Sequence, residues 1–589
     1  MRWLAVLLLL APALAQLLMV NHYGVDFPYY DQWEGVGALF VKMNAGTLGI
    51  ADFFAQHNEH RILFPLLIFY PLARLTHWNI RAELFVIWGI YVLIAWNLWR
   101  MILATGFAIS RKSYWLFFAV CVLVFSPLQW QNQLWGFQVG FVLPLLFVIA
   151  SLRVALGARH PWNFIGTIAL GFACTFSIAS GFMCWILTLP VLLMPGGTIS
   201  LRDRKGWWLV WGGAFAASVA FYLHGYVKPP QHPSIWTVFE DPAGAFQYWL
   251  TYLGLPFAFG TALDPSGVAQ EVGALLVLAL GGAAGYLWRW RRDAALIARA
   301  LPWLMAALVA VISATLTTIG RVGFGPEQAL NSRYVTFAIP LPIGLAVLAV
   351  LIMGHLAGRD ARAAGTARTW LVSLTSMLAL LLVLGTLKEL DAWPRKHRAM
   401  LMDKALVETI NLVDEPDLLE RYVEVRHVLP LLRSRINLLD QIGYLRPGVL
   451  KAGAPLGAVC DPAAPGDARY GQLQDATNLP DHRFSLNGWA VLPEKGWSVP
   501  PKKARAADAV LLTYDDAAGK PVLFALADVN QLRTDLPDTA DETADPRSGW
   551  VKVFSRERLP AAWNAIKAWA FDSETCRAYR LQGSVNLQR

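Results

Sequence analysis

Hydrophobic residues fill long runs in the first two thirds of the chain, and polar residues collect in the short stretches between the runs. Runs of about 20 apolar residues are typical of helices that cross a membrane. The first run, MRWLAVLLLLAPALAQ, resembles a signal peptide, but it continues apolar to Val20, so we interpret it as a retained first helix. Further spans are predicted near 82–105, 113–128, 134–156, 162–178, 181–196, 207–224, 268–288, 301–319, 333–356 and 370–390.

Cations in the loops between these runs set the predicted topology. Under the positive-inside rule, five cationic loops are cytoplasmic. The first loop (21–81), the loops at 129–133, 225–267 and 320–332, and the tail then face outward. The cationic loops are Arg111-Lys112, Arg159-His160, Arg202 to Lys205, Arg289 to Arg292 and Arg359 to Arg368.

One apolar segment, 62–76, is short and contains two prolines. Counted as a span, it would place the first loop and the tail on opposite sides. We prefer an interfacial or re-entrant segment, which is tolerated where protein buries the backbone. The predicted location is therefore a bacterial-type inner (cytoplasmic) membrane, crossed several times, with an extracytoplasmic C-terminal domain.

The apolar pattern ends near residue 390, and this change predicts the domain boundary. Residues 1–390 form the predicted transmembrane module, and residues 391–589 a soluble α+β domain. Helical patterns occupy 398–445. Segments of β-type residue content occupy 484–589 and predict a small β-sandwich.

Composition supports a membrane protein and argues against one class of partner. Hydrophobic residues make up 56% of the chain and charged residues 15%, whereas soluble domains carry about 25% charged residues. The net charge is +9, but many of the cations lie in topology-setting loops. We therefore expect membrane lipids and no nucleic acid as partners.

Five cysteines are present, and two of them, Cys460 and Cys576, lie in the polar tail. In an oxidising compartment these two could form a disulfide. Two separate free thiols are the alternative, because sequence gives no distance between them.

Ionisable and aromatic residues are interleaved in the first loop, and its QHNEHR stretch runs straight into an apolar segment. An ordinary solvated loop is one interpretation. We favour a functional one, because ionisable groups close to a membrane are functional candidates. The ionisable residues are Asp26, Asp31, Glu34, Asp52, His57, Glu59, His60 and Arg61.

Two chemistries fit these residues. A carboxylate beside a bound hydroxyl can act as general base. Alternatively, Asp26, Asp31, His57 and His60 could hold a divalent metal, although the H-x-x-H spacing differs from the helical H-E-x-x-H zinc pattern. The two histidines could equally bind a sugar or phosphate through hydrogen bonds. No cofactor is firmly predicted.

Two arginines, Arg321 and Arg333, flank the predicted outer loop 320–332. The forked guanidinium suits phosphate. The alternative is an interfacial arginine that reaches toward lipid headgroups.

The order of these features resembles the GT-C superfamily of polyprenyl-phosphate-sugar-dependent glycosyltransferases, such as protein mannosyltransferases and the lipid A aminoarabinose transferase. The family often has Lys-Pro-Pro or His-Pro-Pro where this chain has Asn58 to Arg61. The matching features are an Asp in a D-x-x-x-Y setting (Asp26 to Tyr30), an N-x-G-x-L turn (Asn44 to Leu48), a polar stretch entering a Pro-containing apolar segment (His57 to Leu66), an Arg before the next span (Arg81), and an outer Arg-Tyr that opens a Pro-rich span (Arg333, Tyr334 and Pro340).

The resemblance implies a GT-C-like bundle of about 11 to 13 transmembrane helices and an inverting sugar transfer from a polyprenyl phosphate to a glycan, lipid or protein acceptor. Asp26 would be the catalytic carboxylate, with Asp31 in reserve. Arg333, helped by Arg61 and Arg321, would bind the donor phosphate. Further substrate contacts would come from Tyr30, His57, Glu59, His60 and Tyr334.

Two other functions use the same residues differently. A transporter or flippase of lipid-linked sugars would bind without chemistry, although such proteins often show internal repeats that this chain lacks. A non-catalytic scaffold for envelope assembly would tolerate the loss of the Asp26 carboxylate.

Overall fold

The computed structural model describes two compact units. One unit comprises residues 1–21, 49–72 and 81–392, and the other comprises 22–48, 73–80 and 393–589. The residues described are 2–157, 160–194, 205–230, 232–413, 429–458, 460–463, 469–493, 504–533, 545–560, 563 and 565–586.

The first unit is helical because its apolar runs satisfy their backbone hydrogen bonds internally, which an apolar environment requires. Its helices, some of which continue into the second unit, are α1 (Arg2–Tyr23), α4 (Ile50–Phe53), α5 (Leu63–Thr76), α6 (Ile80–Ala104), α7 (Arg111–Val124), α8 (Trp130–Leu134), α9 (Val139–Leu156), α10 (Pro161–Thr175), α11 (Met183–Leu192), α12 (Lys205–Leu223), α13 (Thr237–Glu240), α14 (Pro242–Gly254), α15 (Pro265–Arg289), α16 (Ala294–Arg321), α17 (Val335–Ala338), α18 (Pro340–Ala357) and α19 (Ala361–Glu408).

Among the described residues, eight helical segments are long and apolar enough to cross a membrane. Large apolar side chains stand exposed on their surfaces, such as Leu209, Trp288 and Leu380. Contiguous exposed apolar surface is costly in water, so these faces fit contact with lipid. The segments are Ile80–Ala104, Arg111–Leu134, Gly136–Leu156, Gly206–Leu223, Pro265–Arg289, Ala294–Phe324, Ser332–Ala357 and Ala361–Glu408.

Two shorter apolar helices, Leu63–Thr76 and Ala179–Leu192, lie beside these segments. The first has 14 residues and is about 21 Å long, which is shorter than the roughly 30 Å of a bilayer core. α10 has 15 residues, so it is also shorter than the span predicted there. The sequence pattern overestimates the length of α10, because the buried residues 176–178 continue beyond the helix end. By contrast, α5 agrees with the apolar segment 62–76 to within one residue.

The predicted boundary near 390 falls inside one continuous helix, α19, of 48 residues. Such a helix is about 72 Å long, so only part of it can lie in a bilayer core of roughly 30 Å. The two units divide within it, between Ala392 and Trp393. A separate helical region beginning at 398 was expected, and the structure instead continues α19 to Glu408.

The second unit joins two pieces of the first loop to the tail. Its helices are α2 (Gln32–Gly35), α3 (Gly37–Asn44), the last part of α19, and α20 (Leu429–Gln441). Trp33 and Phe40 pack edge-on against Trp78, with ring centres 5.9 and 5.0 Å apart. A Cβ at Gly37 would lie 3.2 Å from Leu439, so α3 and α20 approach closely where glycine occurs.

The first unit contains a two-stranded ladder of β1 (Gln56–His57) and β2 (His60–Arg61). The remaining strands belong to the second unit. The strands of the second unit are β3 (Asp461–Ala463), β4 (Gly471–Leu479), β5 (Arg483–Pro493), β6 (Ala504–Ala506), β7 (Ala509–Asp515), β8 (Pro521–Ala527), β9 (Val529–Gln531), β10 (Gly549–Ser555), β11 (Ile566–Asp572) and β12 (Arg577–Arg580). One sheet has the order β4-β5-β10-β9, with β6 also paired to β5, and the other sheet has the order β3-β12-β11-β7-β8.

A shared apolar core explains why the sheets pack face to face. Along β5, Phe484, Leu486, Gly488 and Ala490 are buried, and the residues between them are partly exposed. The common apolar core also includes Leu512 of β7 and Ala568 of β11, from the other sheet. Burial alternates along β5, whereas β7 and β11 are buried at nearly every position. The two sheets share one apolar core and form a β-sandwich, as expected, although it begins before residue 484.

The two tail cysteines meet at one edge of this sandwich. Cys460 precedes β3 and Cys576 precedes β12, and these strands pair in parallel with Asp461 opposite Arg577. Strand pairing brings the two Sγ atoms to 3.3 Å, as free thiols. Whether they are oxidised in the natural protein stays a prediction.

Candidate functional site

The first loop is divided between the two units. Asp26, Tyr30 and Asp31 lie in the unit that contains the tail, whereas 49–72 lies in the helical unit together with Arg321 and Arg333. The two groups of predicted site residues are therefore described separately.

In the helical unit, a tight hairpin presents the QHNEHR stretch. Gln56 pairs with Arg61 and His57 with His60. Asn58 has a φ of 49°, a left-handed conformation that asparagine tolerates better than most residues. The turn leaves Glu59 at the tip of the hairpin.

Arg61 is 9% exposed, and each of its three guanidinium nitrogens donates to a backbone carbonyl. It donates to the carbonyl oxygens of Tyr222, at 2.7 Å, of Phe54 and of His224. Three carbonyls from two separate segments thus converge on one side chain. This arrangement indicates a fold-stabilising role, and the predicted phosphate contact from Arg61 gains no support from it.

Glu59 stands at the centre of a charged cluster. Its carboxylate is paired with Arg321, and it contacts His60 Nε2 at 3.5 Å and His232 Nε2 at 3.4 Å. The backbone N–H of Ala179 donates to His60 Nδ1 at 3.1 Å, so a neutral His60 carries its proton on Nε2, facing Glu59. The cluster joins the hairpin to the loops at 225–267 and 320–332.

Electrostatics keep Glu59 ionised. Burial acts to raise the pKa of this carboxyl, but His60, Arg321 and His232 outweigh it and hold the pKa at about 2. Burial lowers the pKa of His232, although Glu59 opposes this. Arg321 is thus already neutralised by a protein carboxylate, which weakens its case as a donor-phosphate ligand.

Arg333 differs from Arg321 because its charge has no protein counterpart among the described residues. Its backbone is fixed on both sides: its N–H donates to Gln131 Oε1 at 3.1 Å, and its carbonyl accepts from Asn132 Nδ2 at 2.8 Å. Its Nε is buried without a hydrogen-bond partner in the part of the chain that the structure describes. Its guanidinium lies 5.4 Å from the centre of the Tyr334 ring.

An aromatic group surrounds the segment that carries Arg333. Tyr334 is buried and stacks on Tyr252, with ring centres 5.1 Å apart, and the Tyr248 hydroxyl donates to Gln328. Sequence reasoning missed Gln131, Asn132 and these tyrosines of α14. The amide-rich loop QWQNQ, predicted on the same outer side as Arg333, was the one available signal.

His57 does not join the Glu59 cluster. Its ring packs edge-on against Phe137, with centres 5.2 Å apart. Within the described residues, no group of three or more His, Cys, Asp or Glu side chains is arranged to hold a metal ion. The proposed metal ligands also fall in different units, Asp26 and Asp31 in one and His57 and His60 in the other.

In the tail-containing unit, Asp26 lines an open cleft. Its Oδ1 accepts the backbone N–H of Ile80 at 2.7 Å, so the carboxylate caps the start of α6. Tyr30 adopts a φ of 45° and packs edge-on against Tyr29. Asp31 precedes α2 without a side-chain cap bond and does not line the cleft.

The cleft also contains residues that sequence reasoning did not select. Its volume is about 90 Å³. The tail contributes a Lys–Glu pair one helical turn apart on α19, which in sequence looks like an ordinary surface pair. The polar and charged lining residues are Asp26, Thr76, His77, Asn79, Lys404, Glu408, Tyr444 and Arg446.

Together, fold and sites define a mainly helical protein with a sheet-rich C-terminal domain, and its described residues include eight segments suited to crossing a membrane. The chain matches no protein-family model, and no curated protein or solved structure is significantly similar to it.

Proposed function

We propose that the protein is an integral membrane glycosyltransferase that moves a sugar from a polyprenyl-phosphate donor to an acceptor on the extracytoplasmic side. The observation that carries this proposal is Arg333. Its position is fixed by two backbone hydrogen bonds, yet its buried Nε has no partner among the described residues.

An unsatisfied buried donor costs about 1–3 kcal/mol, and more when charged. A phosphate group would remove that cost through a forked, charge-assisted contact. Arg333 also lies at the start of the apolar segment Ser332–Ala357, which is where the headgroup of a lipid-linked donor would be found. Arg321, paired with Glu59, supports the loop instead.

Asp26 is the proposed general base. It would take the proton of the acceptor hydroxyl while that oxygen bonds to the anomeric carbon. The bond between this carbon and the phosphate oxygen breaks, and the polyprenyl phosphate leaves with the bonding electrons. Attack opposite the leaving group inverts the anomeric centre. Arg333 would stabilise the charge that develops on the phosphate.

The first experiment measures binding of a polyprenyl monophosphate to the full chain in lipid nanodiscs. Arg333→Gln should raise Kd at least tenfold, because a charged phosphate contact is lost. Arg81→Gln is the charge-matched control, since Arg81 donates to the Asn21 carbonyl at 2.7 Å; its Kd should not change. Equal Kd values for wild type and Arg333→Gln would refute the phosphate site.

The second experiment separates transfer from transport and from scaffolding. Asp26→Asn keeps an oxygen that can accept the Ile80 N–H, so the variant should fold. A glycosyltransferase should bind donor normally but lose sugar transfer by at least a hundredfold. Unchanged transfer would refute catalysis by Asp26. Donor movement across the bilayer without transfer, in the wild type, would instead support a flippase.

A further inference from the structure

The cleft beside Asp26 is formed wholly within the tail-containing unit. Three segments build it: Asp26 to Pro28, Thr76 to Asn79, and residues of the tail. The last turns of α19 contribute Lys404 and Glu408, and the loop after α20 contributes Tyr444 to Pro447. The proposed base is thus surrounded by tail side chains that nothing else in the proposed mechanism uses.

Glu408 is the side chain that points to a ligand. It is 5% exposed, and neither of its carboxylate oxygens has a hydrogen-bond partner among the described residues. Its ion-pair contact is Lys404 Nζ, at 3.6 Å, which is too long for a hydrogen bond. Buried polar side-chain atoms nearly always have at least one hydrogen-bond partner, so a bound molecule with hydrogen-bonding groups would complete this carboxyl group.

The lining of the cleft mixes acidic and basic groups. Asp26 and Glu408 supply carboxyl oxygens, and Lys404 and Arg446 supply N–H donors. Hydroxyl groups fit this lining, because each can donate to a carboxylate and accept from an ammonium, a guanidinium or the Asn79 amide. A neutral polyhydroxylated molecule therefore matches the lining better than a phosphate or a carboxylate does.

We infer that this cleft binds the acceptor of the proposed transfer and that the acceptor is a neutral glycan. Glu408 and Lys404 hold its hydroxyl groups, and Asp26 lies beside the one that reacts. Glu408 and Lys404 act as binding residues, and the inference rests on the proposed function. The tail thereby supplies part of the acceptor site.

The test uses the full chain in detergent on an array of immobilised neutral oligosaccharides, with uronic-acid oligosaccharides as the anionic comparison. The wild type should bind one or more neutral oligosaccharides. Glu408→Gln, which keeps size and shape, should weaken that binding at least tenfold, and Arg446→Gln, at an exposed position, about threefold. Glu557→Gln, an exposed carboxylate outside the cleft, should leave binding unchanged.

Thermal unfolding of each variant shows whether Glu408→Gln remains folded, and Arg446→Gln tests the cleft independently. Binding confined to the uronic-acid oligosaccharides would overturn the inference, as would neutral binding that neither variant weakens. So would the absence of binding to any oligosaccharide.

Failure of the inference and failure of the proposed function are distinguishable. Polyprenyl monophosphate binding should respond to Arg333→Gln and not to Glu408→Gln. If donor binding shows this response while the array result is negative, the acceptor inference alone fails. If glycans bind in the cleft and the donor does not bind, the proposed transfer fails and the cleft remains a glycan-binding site.

Discussion

The two halves of the first loop contain similar residues but use them differently. In the hairpin around Glu59, the charged groups bind one another and the backbone: Arg61 holds three carbonyls, and Glu59 holds Arg321. In the half that contains Asp26, the carboxylate lines a cleft. A high density of charge therefore does not by itself mark a ligand site.

The same distinction separates the two outer arginines. Arg321 and Arg333 are chemically identical, and both were expected to bind phosphate. Arg321 has a carboxylate partner in the fold, and Arg333 has an Nε without one in the described structure. The presence or absence of a carboxylate partner, rather than the residue type, therefore indicates which of the two arginines can bind a ligand.

The largest expected effect is at Arg61. Arg61→Leu would leave three carbonyls without their donor, the buried one of Tyr222 and the partly buried ones of Phe54 and His224, at a cost of about 3 kcal/mol. The variant should show a much lower unfolding temperature in detergent, or fail to accumulate. Arg333→Leu is the matched control, and it should change stability by less than about 1 kcal/mol. Equal losses of stability in Arg61→Leu and Arg333→Leu would show that the two arginines do not differ in their structural role.

The second effect concerns the unit that contains Asp26. If Cys460 and Cys576 are oxidised, their bond closes a long loop and should stabilise that unit by about 2–4 kcal/mol. Adding a reductant should then lower the unfolding temperature of the wild type and leave Cys460→Ser unaffected. Cys121→Ser, at a buried thiol of the helical unit, serves as control and should respond to reductant as the wild type does.

The third effect is a pH dependence at Glu59. Its pKa is lowered from 4.5 to about 2, so its ion pairs stabilise the fold fully above pH 4.5 and progressively less as the pH falls toward 2. The difference is about 3 kcal/mol at most. Glu59→Gln should be less stable than wild type at pH 6, and the gap should narrow at pH 3. A constant gap would show that Glu59 is not held by charge.

The smallest effect is at Asp26. Asp26→Ala removes the acceptor for the Ile80 N–H and should cost about 1 kcal/mol of stability. Asp26→Asn should cost less, because the amide oxygen can accept the same bond. Thermal unfolding of the two variants separates the capping role from the proposed catalytic one. A full loss of stability in Asp26→Asn would mean that the charge itself supports the fold.

Much of the fold could be predicted from local pattern. Apolar runs located the long helices, such as α6 and α15, and β-type residue content located β5 and β10. The end of α10 was harder, because hydropathy does not show where a helix ends. The assignment of 22–48 to the tail-containing unit was not predictable, since it depends on packing between residues far apart, such as Gly37 and Leu439.

The candidate sites were predictable in part. Arg333 was found from its residue type and place, but the amides that fix it are about 200 positions away along the chain. Lys404 and Glu408 were missed because a Lys–Glu pair at i,i+4 is common on exposed helices. Whether such a pair is buried beside a cleft depends on tertiary contacts that cannot be read from a single sequence.

The edge of the sandwich where β3 meets β12 has a consequence for membrane orientation. Strand pairing places Cys460 and Cys576 in contact, so their redox state in cells would record the compartment around the tail. An oxidised pair would place residue 460 outside the reducing cytoplasm. If the N-terminus is cytoplasmic, the chain would then have to cross the membrane an odd number of times before residue 460. One thiol-labelling experiment would therefore constrain the orientation of every helix in the chain.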